Sequence, residues 1–302
     1  MQVLQGQSLI ITTLGRYQDL EITFDALLRC QAIPETFIIV VGDKKKRRDF
    51  QKLCNTFRED CSQVNLILRF TKPWRNKQLE LALSLLKSDG LIHIIDDDLS
   101  PSSEYFTELD WHFSKFPDCV MAGGFLTPVH QSKVSFARRF FLLDAKRPGA
   151  YLISGQTSQF QHRQDVSEKS YTEVDWLSGC CMSFRGNLLG KISPDLKLED
   201  ESFDEDLDLS RQAAKYGKLH VVTGARCEHR ISSEGRKKSG YLLKKKLVHR
   251  YYLLEKHRPG LIPRLAFLWS CIGIGLAIHS KRNPDSNLII GFWSGIRGLG
   301  SI

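Results

Sequence analysis

Short apolar runs alternate with helical patterns through the first hundred residues, and this alternation limits the possible folds more than any other feature of the sequence. Four runs have the length and composition of buried strands, namely Leu9–Ile11, Phe37–Val41, Val64–Phe70 and Leu91–Ile95. Strands that alternate with helices form right-handed βαβ units. We therefore predict an α/β fold with a mostly parallel sheet and helices on both faces.

The helices of this pattern are marked by apolar residues at helical spacing. The predicted helices cover Leu20–Leu28, Lys45–Phe57 and Leu79–Leu86, with a further helix from near Ser102. In such folds ligands bind at the carboxyl ends of the strands, so the segments that follow the strands are where we expect the functional site.

The composition is that of a globular protein of the cytoplasm. With 302 residues, 42% of them hydrophobic and 25% charged, the chain suffices for one large α/β domain or two small ones. The eight cysteines show no C-x-x-C spacing, which argues against a zinc ribbon or a disulfide framework and favours reduced thiols. No secretory signal is visible at the N-terminus, so we expect a cytoplasmic protein.

The positive charge is concentrated in the last quarter of the chain. Residues 226–302 carry 15 Lys and Arg against 4 Asp and Glu, a net charge of +11, while the whole chain carries +9. The C-terminal region therefore favours an anionic partner. The sequence contains no helix-turn-helix, zinc-finger or RNA-recognition signature, so we expect no nucleic acid among the partners.

Three adjacent carboxylates follow the fourth apolar run, in the sequence Ile94-Ile95-Asp96-Asp97-Asp98-Leu99. Such carboxylates repel one another unless a cation lies among them, and oxygen ligands favour Mg²⁺ or Mn²⁺. The alternative is a solvated loop that caps the following helix.

A second acidic cluster, Phe203–Leu209, includes the pair Glu205 and Asp206 and precedes a helix. The helix dipole alone favours acids there, but near a metal-phosphate site an acid pair also offers a general base. A third segment, Asp175–Arg185, contains Gly-Cys-Cys-Met-Ser, which is typical of backbone that approaches a ligand or another strand.

Taken together, these segments resemble family 2 glycosyltransferases with the GT-A fold. The resemblance rests on five segments in the order of that family, which are Thr12–Arg16, Val40–Asp43, Arg75–Lys77 before the Asp triplet, Trp176–Arg185 and Phe203–Leu209. It extends over nearly the whole chain and is closest to the branch that builds bacterial surface polysaccharides.

The resemblance implies a site for a nucleotide-sugar donor and a divalent metal ion, Mg²⁺ or Mn²⁺. The donor-binding residues that it implies are Thr13, Arg16, Asp43, Asn76, Asp96 and Asp97. The metal ligands that it implies are Asp98, Asp96 and His229.

The resemblance also implies roles in catalysis and in acceptor binding. Asp206 matches the catalytic base of an inverting transfer, with Glu205 beside it. The acceptor-binding residues are Trp176, Gly179 and Cys180, and the contacts to the diphosphate are Arg230 and Arg211. Gln212 stands where the family pattern has an Arg. The acceptor would be a glycan or a lipid-linked molecule.

Two uncharged runs lie near the C-terminus. Leu265–Ile278 covers fourteen residues, short of the ~20 that span a bilayer, and Leu288–Ile296 is shorter. They form either two core helices or helices in the membrane interface, with Trp269 and Trp293 at headgroup depth. We favour the second, which predicts a peripheral protein bound to an anionic membrane on its cytoplasmic face.

The resulting division of the chain is a glycosyltransferase domain, 1–235, followed by a basic and apolar helical region, 236–302. Within the first, 1–125 would be the donor half and 126–235 the acceptor half. Two other functions fit the acidic segments. One is a Mg²⁺-dependent phosphohydrolase, although many of these carry their acidic motif after the first strand. The other is a catalytically silent membrane-bound scaffold with the same fold.

Overall fold

The computed structural model describes residues 1–87, 89–128, 135–158, 160, 170–198, 204–230, 239–280 and 285–302. The strands are β1 (Gln2–Thr13), β2 (Ala32–Val41), β3 (Asn65–Phe70), β4 (Leu91–Asp96), β5 (Leu99–Pro101), β6 (Cys119–Thr127), β7 (Tyr171–Val174), β8 (Cys181–Arg185) and β9 (Lys218–His229). The α-helices are α1 (Tyr17–Leu28), α2 (Arg47–Asp60), α3 (Arg75–Ser84), α4 (Tyr105–Lys115), α5 (Phe136–Phe140), α6 (Glu205–Ala213), α7 (Ser239–His257), α8 (Leu261–His279) and α9 (Ser286–Arg297).

The chain divides into two compact units. One consists of Met1–His130 and Gln164–Ser232, and the other of Gln131–Arg163 and Ser233–Ile302. The described part of 131–163 thus belongs with the C-terminal helices, whereas the sequence-based division placed this segment in the acceptor half. The predicted boundary at 235 lies outside the described residues.

A single sheet organises the first unit. In the described part of the chain its order is β3-β2-β1-β4-β8-β6-β9-β5, and β7 pairs with β9. The strands β3, β2, β1 and β4 are parallel to one another, and β6 and β9 are also parallel. The strand β8 joins these two parallel parts by antiparallel pairing with β4 and with β6. The predicted α/β fold, with a mostly parallel sheet and helices on both faces, is confirmed.

Both faces of the parallel part are buried, which explains the uninterrupted apolar runs. Side chains alternate between the faces of a strand, and Ile11, Phe37 and Ile39 share one core with the apolar residues of α1, α2 and α4. Ile10 and Ile38 are equally inaccessible to solvent but point to the opposite face, where α3 packs on β2 and β1. Each such fully buried side chain contributes roughly 1.5–3 kcal/mol.

Several predicted boundaries differ from the observed ones. The first strand begins at Gln2 rather than Leu9, because residues Gln2 to Leu4 also pair with β2, ahead of an irregularity in the ladder. The charged helix begins at Arg47, since a 3-10 turn over Lys44–Lys46 precedes it. The helix expected from near Ser102 begins at Tyr105.

In the C-terminal unit, helices α7, α8 and α9 pack around their own apolar core. The segment 135–158 joins this unit through side-chain contacts. The ring of Phe141 packs against Trp269, and Gln156 Nε2 donates to Ser270 Oγ at 3.3 Å. Among the described helices, α8 is long and apolar enough to cross a membrane, judged by length and composition. Only 33% of its most apolar 18-residue stretch is buried inside the protein.

Candidate active site

The acidic triplet lies at the carboxyl end of β4. Asp96 is the last residue of that strand and pairs with Thr12 of β1, and its amide donates to Cys180 O at 2.9 Å. The next two carboxylates, Asp97 and Asp98, follow in the turn to β5 and are buried. The triplet therefore lies at the carboxyl ends of the parallel strands, where ligands of such sheets bind, and is not a solvated loop.

Arg16 neutralises the two buried carboxylates of the triplet. Its guanidinium forms a two-pronged ion pair with Asp97, and its Nη1 lies 3.4 Å from Asp98 Oδ2. Thr13 Oγ1 accepts hydrogen bonds from the amides of Gly15 and Arg16, which directs the loop after β1 toward these acids. Burial raises the pKa of Asp97 to about 6, against the lowering effect of Arg16.

Arg75, the first residue of α3, connects the triplet to the second acidic cluster. It forms an ion pair with Asp96, and its Nε lies 2.9 Å from Glu205 Oε1. Its Nη2 also donates to Gly179 O at 2.7 Å. Burial by itself lowers the pKa of Arg75, but the two carboxylates outweigh this effect and raise it. One cation thus holds three separate segments together.

The acid pair Glu205 and Asp206 forms the first turn of α6. Asp206 Oδ2 accepts a hydrogen bond from the Gly179 amide at 3.0 Å, and Asp206 Oδ1 accepts one from Leu207 N at 2.8 Å. A Cβ on Gly179 would lie 3.1 Å from Asp206 Cβ, so a larger residue would displace this carboxylate. Burial raises the pKa of Glu205, with a further contribution from the charge of Asp206, while Arg75 opposes the shift.

His229, the last residue of β9, faces the triplet from the other side. Its Nε2 lies 3.5 Å from Asp98 Oδ1, and its Nδ1 lies 4.0 Å from Cys180 Sγ. A carboxylate oxygen and an imidazole nitrogen are donors that Mn²⁺ accepts. Asp98 and His229 therefore supply an oxygen and a nitrogen ligand close enough to share one divalent metal ion, while Asp96 is ion-paired with Arg75.

The two predicted diphosphate contacts have partners inside the protein. The guanidinium of Arg230 reaches Ser100 Oγ, Asp19 O and Thr23 Oγ1, and its amide donates to Asp98 O at 3.1 Å. This residue therefore holds the backbone on which the triplet stands. Arg211, on the second turn of α6, donates to Asp175 O at 3.3 Å.

The loop after β2 lies next to the loop after β1. Asp43 Oδ1 accepts a hydrogen bond from Lys45 N at 2.9 Å and caps the following 3-10 turn. Gly15 has a φ of +107°, and a Cβ there would lie 3.0 Å from Asp43 Cβ. Lys46 Nζ donates to Gly15 O at 2.7 Å. Glycine is thus required where the two loops meet.

Two predicted site residues are buried away from open space. Asn76 is fully inaccessible, and its Nδ2 donates to Asp195 O at 2.7 Å. Trp176 is also buried. The structure instead places the neighbouring Arg75 at the centre of the site. It also shows that Gln78 Nε2 donates to Thr13 O and Val40 O. Both were missed by sequence reasoning, although Arg75 begins the helix that carries the recognised segment.

No family model matches the sequence, and no curated protein matches it in the sequence comparison. Comparison of structures shows the fold, which is that of GT-A-like glycosyltransferases, as the sequence predicts. The structure of S. aureus TarS 1–349 in complex with UDP-GlcNAc matches with a TM-score of 0.60 at 12% identity, over 99% of this chain and 82% of that chain.

Two further solved structures share the fold. GalNAc-T7 with UDP, GalNAc and Mn²⁺ matches with a TM-score of 0.60 at 14% identity, over 91% of this chain and 57% of that one. The mannosyltransferase PcManGT from Pyrobaculum calidifontis, in complex with GDP-Man and Mn²⁺, matches with a TM-score of 0.51 at 13% identity, over 97% and 86% of the chains. At these identities the likeness establishes a common fold.

Proposed function

We propose that the protein is a metal-dependent glycosyltransferase that moves a sugar from a nucleotide-sugar donor to a hydroxyl group of a glycan or lipid-linked acceptor. One observation carries this proposal. Arg75 joins the carboxylate triplet after β4 to the acid pair of α6. The residues suited to bind a donor and the residues suited to accept a proton therefore lie together at the carboxyl end of the sheet.

The structural neighbours support a nucleotide-sugar donor. TarS was solved with UDP-GlcNAc, and PcManGT was solved with GDP-Man and Mn²⁺. In this chain, Thr13, Arg16 and Asp43 surround the carboxyl ends of β1 and β2, which is where a nucleotide lies in open α/β sheets. These three residues would bind the base and ribose.

Asp98, Asp96 and His229 would hold the divalent ion. When bound, the ion supplies charge stabilisation to the diphosphate that leaves the sugar. The role of this chain is to present the ligands in fixed positions. Arg230 and Arg16 do so by gripping the backbone and the neighbouring carboxylates.

Asp206 would act as the catalytic base. Its carboxylate accepts the proton of the acceptor hydroxyl while that oxygen forms a bond to the anomeric carbon. The bond from the anomeric carbon to the donor phosphate breaks, and its electron pair leaves with the nucleoside diphosphate. Attack from the face opposite the leaving group inverts the anomeric configuration. The Gly179 amide orients Asp206 for this step, and Arg75 fixes Glu205 beside it.

The C-terminal unit supports an acceptor at a membrane surface. Helix α8 exposes one apolar face, made of Leu261, Leu265, Leu268, Ile272 and Leu276. These residues recur at helical spacing, and an exposed stripe of this size is typical of membrane or protein contacts. Lys244 and Lys246 of α7 add positive charge that favours anionic lipid. We propose peripheral attachment at the cytoplasmic face and a role in surface polysaccharide synthesis.

A panel of UDP-, GDP- and dTDP-sugars tests the proposed reaction. We expect metal-dependent release of one nucleoside diphosphate, stimulated by glycan or lipid acceptors. Release of inorganic phosphate from phosphate esters, without any nucleoside diphosphate, would favour the phosphohydrolase instead. Absence of both release and donor binding would favour the silent scaffold.

A further inference from the structure

A second cluster of metal-ligating side chains lies at the opposite end of the strands, near the amino ends of β6 and β9. It consists of His112 near the end of α4, Cys119 at the start of β6 and His220 near the start of β9. β4 and β6 run in the same direction, because each is antiparallel to β8. The amino end of β6 is therefore far from the carboxyl end of β4, and the cluster is separate from the proposed active site.

The three side chains converge in space although they come from different elements. Each offers one ligand atom, and these atoms all lie within 4.8 Å of one another. His112 Nε2 lies 2.9 Å from His220 Nδ1. The relative exposure is 0% for His112, 0% for Cys119 and 2% for His220. The rings of Phe116 and Tyr171 pack against the two imidazoles and limit access of water.

Within the described part of the chain, the hydrogen bond between the two imidazoles leaves the other nitrogen of each ring without a hydrogen-bond partner. Among the described residues, His112 Nδ1 and His220 Nε2 are buried and have no hydrogen-bond partner. In either tautomer of the hydrogen-bonded pair, one ring nitrogen keeps a bare lone pair in the protein interior and another keeps an unpaired N–H. A buried lone pair without a partner is costly. A metal ion beside the cluster would accept such a lone pair.

We propose that His112, Cys119 and His220 bind a transition metal ion of the zinc class, at a site that fastens α4 to the paired strands β6 and β9. Two imidazoles and a thiolate suit Zn²⁺ and similar borderline-soft ions, and they do not suit Mg²⁺. With three protein ligands, the fourth position of the ion is left to a small ligand such as water. This ion would link α4 to β6 and β9, and its site is separate from that of the divalent ion at Asp98.

The protonation states are compatible with this assignment. Burial, with His220 nearby, lowers the pKa of His112 to about 4, and burial also lowers the pKa of His220. Both rings are therefore neutral at pH 7, as ligands must be. Burial raises the pKa of the Cys119 thiol to about 12. Metal binding replaces the thiol proton, which is released to solvent.

Cobalt substitution tests the site without any measurement of activity. The full chain is stripped with a chelator and titrated with Co²⁺, and the thiolate-to-cobalt charge-transfer band is followed in the near ultraviolet. We expect the band in wild type, its loss in Cys119→Ser, and its retention in Cys54→Ala, a matched buried cysteine of α2. Cys180→Ala is the decisive second control, because Cys180 lies beside His229. Loss of the band in Cys180→Ala with retention in Cys119→Ser would overturn the proposal.

A second measurement does not depend on the stability of the cysteine variant. In an Asp98→Asn background, which removes one proposed ligand of the other metal site, we expect Zn²⁺ to raise the melting temperature above that in EDTA. His220→Gln in the same background should abolish this shift. Equal melting temperatures in Zn²⁺ and EDTA, together with no cobalt band in wild type, would overturn the proposal. Failure of sugar transfer would leave both readouts unaffected, so the two proposals are tested separately.

Discussion

The Nε of Arg75 lies 2.9 Å from Oε1 of Glu205 and joins the first residue of α3 to the first residue of α6. Both side chains are largely withdrawn from solvent, with 19% and 10% of their surfaces exposed. The same guanidinium binds Asp96. A displacement on the donor side would therefore be transmitted to the acid pair through one side chain.

Removal of this cation should destabilise the protein. Arg75→Met leaves Asp96 and Glu205 partly buried without their common partner, and we expect the free energy of unfolding to fall by about 3 kcal/mol. Arg75→Lys keeps the charge but loses the planar fork, so its loss should be smaller. Chemical denaturation measures both. If Arg75→Met were as stable as wild type, the ion pairs of Arg75 with Asp96 and Glu205 would not stabilise the fold.

The two acids of α6 should respond differently to neutralisation. Asp206→Asn preserves shape but removes the proton acceptor, so transfer should fall by about 10²–10⁴-fold while donor affinity is retained. Glu205→Gln should have a milder effect, because we propose that Glu205 positions neighbouring groups and that Asp206 accepts the proton. Turnover and donor affinity are measured side by side. Normal turnover of Asp206→Asn with loss in Glu205→Gln would reassign the base.

His93, in the middle of β4, should control part of the acid sensitivity of the fold. Its imidazole bridges Ser183 of β8 and Gln7 of β1, and burial lowers its pKa to about 3. The unfolded chain binds a proton near pH 6.5, whereas the folded chain does not. Stability should therefore fall as the pH decreases from about 6.5 toward 3, by up to about 4 kcal/mol.

His93→Gln removes this titration, so its free energy of unfolding should depend less steeply on pH over the same window. His279→Gln, at an exposed position of α8, is the matched control and should follow wild type. Denaturation at several pH values gives the slopes. Parallel curves for wild type and His93→Gln would contradict the expected pKa.

The exposed face of α8 should carry membrane binding. Leu265→Asp places a charge on a side chain that is 56% exposed, so the fold should tolerate it while flotation with anionic liposomes is lost. Ile22→Asp, on an exposed position of α1, should float like wild type. Added salt should weaken binding, because surface charges are screened over ~8 Å at physiological ionic strength. Undiminished flotation of Leu265→Asp would argue for another binding face.

The sequence predicted the features that depend on local pattern. Strand β4 was recognisable from its uniform apolar run, and the triplet after it follows from the rule that ligands bind at carboxyl ends. The acids of α6 were recognisable because acids favour a helix N-terminus. The sequence could not show which way each side chain of a helix points. Arg75 and Asn76 are adjacent, yet on a helix they point about 100° apart, so only the packed structure shows that Arg75 enters the site.

Contacts between distant segments were equally beyond the sequence. The pairing of Phe141 with Trp269 joins the segment after residue 130 to the C-terminal helices, and no periodicity reports it. The same is true of His112 and His220, which are 108 residues apart along the chain. Local pattern specifies elements, whereas such clusters depend on how β6 and β9 pair.

Calorimetric titration with nucleoside diphosphates tests the central claim most directly, namely that the carboxyl edge of the sheet binds a nucleotide together with a metal ion at Asp98. UDP, GDP and dTDP are each titrated into wild type, Asp98→Asn and the exposed control Asp60→Asn, in Mn²⁺ and in EDTA. We predict that one nucleotide binds wild type and Asp60→Asn in Mn²⁺, and that affinity falls at least ~10-fold, or ~1.4 kcal/mol, in EDTA and in Asp98→Asn. Equal affinity with and without metal, or no binding of any of the three nucleotides, would contradict the account.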